Sequence, residues 1–195
     1  MRSRMPGTVS SASSARKMES AKPNPPLFWG TLITVVAVDL VTKLIAAATL
    51  SPQHVPHEIL GNHLRLTLVY NPGAAFGLNL GIYSRWIFMA LTAGALVILG
   101  RLYQATRQGD FLRTIALGLV CGGAVGNLID RVRSATGVVD FIDVGVGDLR
   151  WPTFNVADMA VSVGAFLLAW VLWGEERSSS PSVAATPVSD TPAES

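Results

Sequence analysis

The residues best suited to chemistry lie between Gly137 and Asp158, in GVVDFIDVGVGDLRWPTFNVAD, which carries four aspartates and runs straight into the apolar stretch MAVSVGAFLLAWVLW. An acid one turn inside a membrane-length segment is costly and marks a functional site by default. Asp140 and Asp158 arrive from opposite sides of one loop, which suits a pair of carboxylates working together at a membrane surface, as in an aspartic protease. Peptide hydrolysis without a metal or a nucleophilic side chain needs one carboxyl to activate water and another to protonate the carbonyl oxygen. Two close carboxyls cannot both ionise easily, so they share a proton and their titrations split. Asp143 and Asp148 lie in the same loop and read as solvated acids.

Other polar groups cluster near that pair. In GNLIDR, Asn127 and Asp130 are spaced i,i+3 at the end of an apolar run and share a helix face. An acid at a helix C-terminus opposes the macrodipole, so Asp130 is not there for helix stability, and Arg131 is expected to neutralise it. In FNVAD, Asn155 can serve as an N-cap with Asp158 at N3, a relative of the capping box. Such a cap would hold Asp158 in place. Asp39 and Lys43, four apart in the first apolar run, can pair across one face, with Lys43 snorkelling outward. Asn71-Pro-Gly-Ala-Ala-Phe-Gly77 begins as a turn and continues with small apolar residues, suited either to a hairpin loop or to a loop closing over a substrate. His54, His57 and His63 do not match a helical zinc motif, and Pro56 interrupts any helix there, so no metal site is expected. Cys121, the only cysteine, sits in an apolar run and reads as a packed thiol.

The elements that must carry these residues follow from hydropathy. Half of the 195 residues are hydrophobic, the mean hydropathy is +0.42 and only 14% are charged, against about 25% in soluble domains. These values indicate an integral membrane protein, and a net charge of +2 gives no reason to expect a nucleic-acid partner. Apolar runs near 27–50, 83–102, 114–129 and 154–173 are each read as one transmembrane helix. The first competes with a secretory signal peptide, since Ala46–Ala48 resembles a cleavage site, but it is too long and carries Asp39 and Lys43. HLRLTLVY alternates with period two and predicts a strand in the loop over 51–82. Tyr83, Trp86 and Tyr103 are expected to be interfacial anchors. GLVCGGAVGN offers small residues for close helix packing.

The expected fold is therefore mainly α and membrane-embedded: four transmembrane helices with a small extracytoplasmic β-sheet and a surface loop. It divides into a basic tail over 1–26, a membrane domain over 27–173 with outer loops 51–82 and 130–153, and a second tail over 174–195, both tails lacking the composition to build a core. Nine Lys or Arg lie on the side of the termini and five on the other. The positive-inside rule thus places both termini in the cytoplasm and the aspartates on the extracytoplasmic face.

Taken in order, Asp39-x-x-Thr42-Lys43, Asn71-Pro-Gly-Ala-Ala-Phe-Gly77, Gly126-Asn-Leu-Ile-Asp-Arg131, Val138-Val-Asp140-Phe and Phe154-Asn-Val-Ala-Asp158 resemble the lipoprotein signal peptidases, or signal peptidase II. The resemblance spans about 27–173, although the segment between Arg131 and Val138 is slightly longer than is common there. It implies a bacterial inner-membrane aspartic endopeptidase that removes the signal peptide from prolipoproteins before a diacylglyceryl-modified cysteine. It further implies Asp140 and Asp158 as catalytic, Asn71, Asn127, Arg131 and Asn155 as substrate-binding, and Asp39, Lys43 and Asp130 as structural support. No cofactor is implied. The expected partners are the lipidated prolipoprotein and membrane lipid, and the expected state is a monomer. Two other classes compete: a small transporter coupled through Asp39 and Lys43, and a membrane assembly factor presenting the outer loops. Against transport, only Asp39 is central in a helix and no inverted repeat is evident.

Overall fold

The computed structural model describes residues 23–73 and 81–179. The two tails and residues 74–80, including Ala74–Gly77 of the Asn-Pro-Gly motif, lie outside them. Four long helices dominate: α1 (Pro25–Thr49), α2 (Ser84–Gln104), α3 (Phe111–Arg133) and α4 (Val156–Ser179). Each is long and apolar enough to cross a membrane, since 21 residues at ~1.5 Å rise already span the ~30 Å of hydrocarbon. Their ends follow local rules. Asn24 caps α1 by accepting from the Leu27 N–H at 3.3 Å, ahead of Pro25 and Pro26, and Asp110 caps α3 from the Arg113 N–H at 3.2 Å.

The third helix is the hub, with nine buried residues against one on α2. Its glycines let the backbones meet. A Cβ at Gly122 would stand 2.8 Å from Val35 Cβ of α1, and one at Gly123 would stand 2.3 Å from the Ala157 carbonyl of α4. Between helices in lipid, where apolar burial drives little, this contact distance is what packing depends on. Cys121 packs with Phe28 and Leu117 in that interior, as a small apolar side chain.

A four-stranded antiparallel sheet, β1 (His57–Leu60), β2 (Leu64–Asn71), β3 (Val138–Val146) and β4 (Leu149–Arg150), stands at the end where α1 and α3 finish. The expected strand in HLRLTLVY is β2. It pairs with β3 so that Val69 faces Asp140 and Asn71 faces Val138. Leu68 and Phe141 pack with Ala46 of α1 and with Leu50 just past its end, fixing the sheet on the helix end. Successive strand residues alternate faces, so Phe141 enters that core while Asp140 turns to the α3–α4 junction.

Several sequence expectations need correction. The third helix continues past Asp130 to Arg133, so the outer loop starts later; Arg131 and Arg133 suit its C-terminal dipole, and Arg85 donates to the Arg131 and Val132 carbonyls at 2.6 and 3.1 Å. Tyr103 packs against α1, its ring stacked on Phe28 with centroids 3.9 Å apart. Asp130 is paired with Lys43 at 2.9 Å, where Arg131 was expected. Asp143 is no solvated loop acid: it is 5% exposed and clamped by Arg65 at 2.9 Å and Arg150 at 2.6 Å. Burial works against its charge, but hydrogen bonds from Arg150, Arg65 and Thr67 outweigh it and hold the carboxyl below its usual range.

Candidate active site

The site forms where the start of α4, the end of α3 and strands β2 and β3 converge. Asn155 is its keystone and is fully buried. As N-cap of α4, its side-chain oxygen accepts from the Asp158 N–H at 2.9 Å, and its own backbone N–H donates to Asp158 Oδ2 at 3.1 Å. This is the reciprocal pattern of a capping box. Its side-chain Nδ2 then donates to Asp140 Oδ1 at 2.7 Å. One asparagine thus holds both acids.

Each carboxyl has a second holder. Asn71, at the end of β2, donates to Asp140 Oδ2 at 3.2 Å, and Asn127 of α3 donates to Asp158 Oδ1 at 2.8 Å. Asn155 Nδ2 also lies 3.1 Å from Asn127 Oδ1, closing the ring of amides and acids. Close approach of the chain helps here: Gly137 sits at φ +113°, and a Cβ on it would stand 2.1 Å from the Asn71 carbonyl. Only glycine lets β3 begin against Asn71.

Behind the ring lies Lys43, which is 3% exposed. Its ammonium contacts Asp39 Oδ2 at 2.7 Å, Asp130 Oδ2 at 2.9 Å and Asn127 Oδ1 at 2.9 Å, using all three donors. The expected Asp39–Lys43 pair is present, but Lys43 turns inward and does not snorkel. Asp39 also accepts from the Ala157 N–H at 2.9 Å, tying α1 to the first turn of α4. The ion cluster therefore orients Asn127, which in turn orients Asp158.

Arg131 stands at the rim. It donates to the Asn127 carbonyl at 3.2 Å, lies over the Phe88 ring of α2 at 5.6 Å, and its charge acts on Asp158, Asp140 and Asp130. Sequence reasoning missed Phe88 and the Ala157 N–H. Neither carries a signal, since one is an ordinary apolar residue and the other a backbone group.

Burial and the neighbouring Asp158 charge push the Asp140 carboxyl up to about 7, against the pull of Asn71, Asn155 and Lys43. Near neutrality this acid keeps much of its proton. Two linked acids, one of them protonated, constitute an acid–base pair able to move protons to and from one substrate. A larger cavity of about 630 Å³, lined by Arg107, Asp110, Arg113 and Glu175, opens at the opposite end of the bundle and holds none of these groups.

Comparison with known proteins agrees with this architecture. The family profile described as signal peptidase (SPase) II matches residues 31–174. The chain is 39% identical over 142 residues to the lipoprotein signal peptidase of Oleidesulfovibrio alaskensis, covering 71% of this chain and 89% of that one. It is 40% identical over 144 residues to that of Burkholderia mallei, covering 72% and 84%. A bacterial membrane enzyme solved by the in meso method at 2.3 Å superposes with a TM-score of 0.72 at 28% identity, over 85% of this chain and 99% of the other. The chain belongs to the signal peptidase II family and is a membrane protease.

Proposed function

We propose that the protein is an aspartic endopeptidase that removes signal peptides from diacylglyceryl-modified bacterial prolipoproteins, cutting before the lipidated cysteine with water activated between Asp140 and Asp158. The observation that carries this reading is the single residue Asn155 holding both carboxyls, at 2.7 Å and 3.1 Å. Asp140, with its raised titration, is the acid, and Asp158 is the base. Asp158 takes a proton from water as the water oxygen bonds to the scissile carbonyl carbon, while Asp140 gives its proton to the carbonyl oxygen. In the collapse of that tetrahedral species the carbon–nitrogen bond breaks. The proton on Asp158 passes to the leaving amine and a hydroxyl proton returns to Asp140.

The remaining residues support that exchange. Asn71, Asn127 and Asn155 hold the acids and offer amide groups to the substrate backbone, and Arg131 guards the rim. Asp39, Lys43 and Asp130 keep the helix ends in place. The active form is a monomer in the bacterial inner membrane, with both termini cytoplasmic and the site on the extracytoplasmic face. Incubating the purified protein with a diacylglyceryl prolipoprotein and with its unlipidated counterpart tests the reading. Cleavage of the lipidated form alone, undiminished by a chelator, is expected. Cleavage of both alike, or of neither, or loss with chelator and rescue by zinc, would refute it.

A further inference from the structure

Asp158 has a second face. A groove of about 360 Å³ opens beside it, walled by Trp151, Phe154, Met159 and Val163, with Ser162 at its edge. The Ser162 hydroxyl donates to the Asp158 carbonyl at 2.8 Å and so does not ask for a ligand partner. Apart from Asp158, the walls are therefore apolar. The groove runs on into an exposed stripe down α4, in which Val163, Phe166 and Trp170 are 51%, 65% and 63% exposed. In a membrane-spanning helix that stripe faces hydrocarbon. A continuous apolar path thus leads from the bilayer to one of the two acids.

The substrate narrows what fits. The residue on one side of the scissile bond carries acyl chains, so the first methylenes must lie close to the acids during the reaction. An extended peptide would bring backbone N–H and C=O groups that these apolar walls cannot pair, whereas an acyl chain brings none. A neighbouring groove of about 250 Å³, between α1 and α3, includes Lys43, Asp130 and Arg133. An acyl chain there would run beside three charges, and the α4 groove carries one. We propose that the groove walled by Trp151, Phe154, Met159 and Val163 seats one acyl chain of the substrate's diacylglyceryl group and so sets the lipidated cysteine in register with the acids. The assignment rests on reading Asp140 and Asp158 as the reacting pair. Because lipid is as apolar as the groove, the gain is in position more than in affinity, and misplacement by about 1 Å can cost ~100-fold in rate.

The test uses the full chain in nanodiscs and two prolipoprotein peptides, one with a dipalmitoyl and one with a dibutanoyl glyceryl cysteine. Wild type should prefer the long chains, and Val163→Trp, which fills the groove, should cut that preference about tenfold. Leu91→Trp, on the lipid-facing side of α2 (62% exposed), should leave it unchanged. In parallel, Asp140→Asn protein is photolysed with the dipalmitoyl peptide bearing a diazirine near the glycerol end of one chain; adducts should map to Met159–Val163. No preference in wild type, an equal loss on both peptides, or no change with Val163→Trp would overturn the proposal, the last by leaving the groove to annular lipid only. Adducts on Leu40 or Leu44 would overturn it too, even if Val163→Trp failed to fold. Cleavage by the Asp140→Asn protein would instead overturn the acid pair, while the adduct map would still report on the groove.

Discussion

At the scale of single residues, two acids in unequal surroundings carry the proposed chemistry. Asp140 is raised to about 7 by burial and by the charge of Asp158. Its acid form is present below that value and lost as pH rises through it, so the rate of cleavage should fall on an alkaline limb centred near 7. Because the folded value lies above the ordinary 3.8, this group favours folding most fully below about 4 and loses that contribution as pH climbs to about 7. Asp158→Asn removes the charge that raises it, and should move the Asp140 carboxyl titration to lower pH by carbon NMR. Asn155→Ala breaks the hold on both acids at once. It should cost about 100-fold in cleavage rate and about 1 kcal/mol from the lost cap, read from kcat and from thermal unfolding. The roles of these residues follow from spacing only in part. The i,i+3 relation of Asn155 and Asp158 announces a cap, but nothing in either motif says that Asn155 also reaches Asp140, because that contact depends on where β3 lies.

At the scale of elements, the helices were legible because hydropathy over 20 residues is a strong signal. The strand β3 was not. VVDFIDVGV buries Val138 and Asp140 on one face and Phe141 and Asp143 on the other, so its two acids break the apolar pattern that would have marked it. The Asp143 clamp was hidden for the same reason, since Arg65 and Arg150 meet it only once β2, β3 and β4 are in register. The inward turn of Lys43 was misjudged because its partners Asn127 and Asp130 come from another helix. Small residues in GLVCGGAVGN were legible as a packing face, and the structure makes that quantitative. Gly123→Ala places a methyl 2.3 Å from the Ala157 carbonyl, which is backbone and cannot step aside. Separating α3 from α4 should lower stability by about 1–3 kcal/mol and loosen the Asn127–Asp158 contact. Thermal unfolding in detergent and the cleavage rate should therefore fall together.

At the scale of the whole molecule, four spans and an asymmetric distribution of Lys and Arg predict both termini in the cytoplasm. Cysteine labelling with a membrane-impermeant reagent should modify residue 149 in a Cys121→Ser, Leu149→Cys protein from outside intact cells, Leu149 being 81% exposed on β4. Residue 107, placed at the α2–α3 turn as Arg107→Cys in the same background, should react only after permeabilisation. The reverse pattern would invert the site relative to the membrane. The proposed chemistry requires that Asp140 and Asp158 act together to hydrolyse one bond. The most direct measurement is a gel-shift assay on a diacylglyceryl prolipoprotein with purified wild type, Asp140→Asn and Asp158→Asn. Each variant should insert and fold yet lose cleavage by about 10³-fold or more; substantial cleavage by either would exclude the two aspartates as the reacting pair.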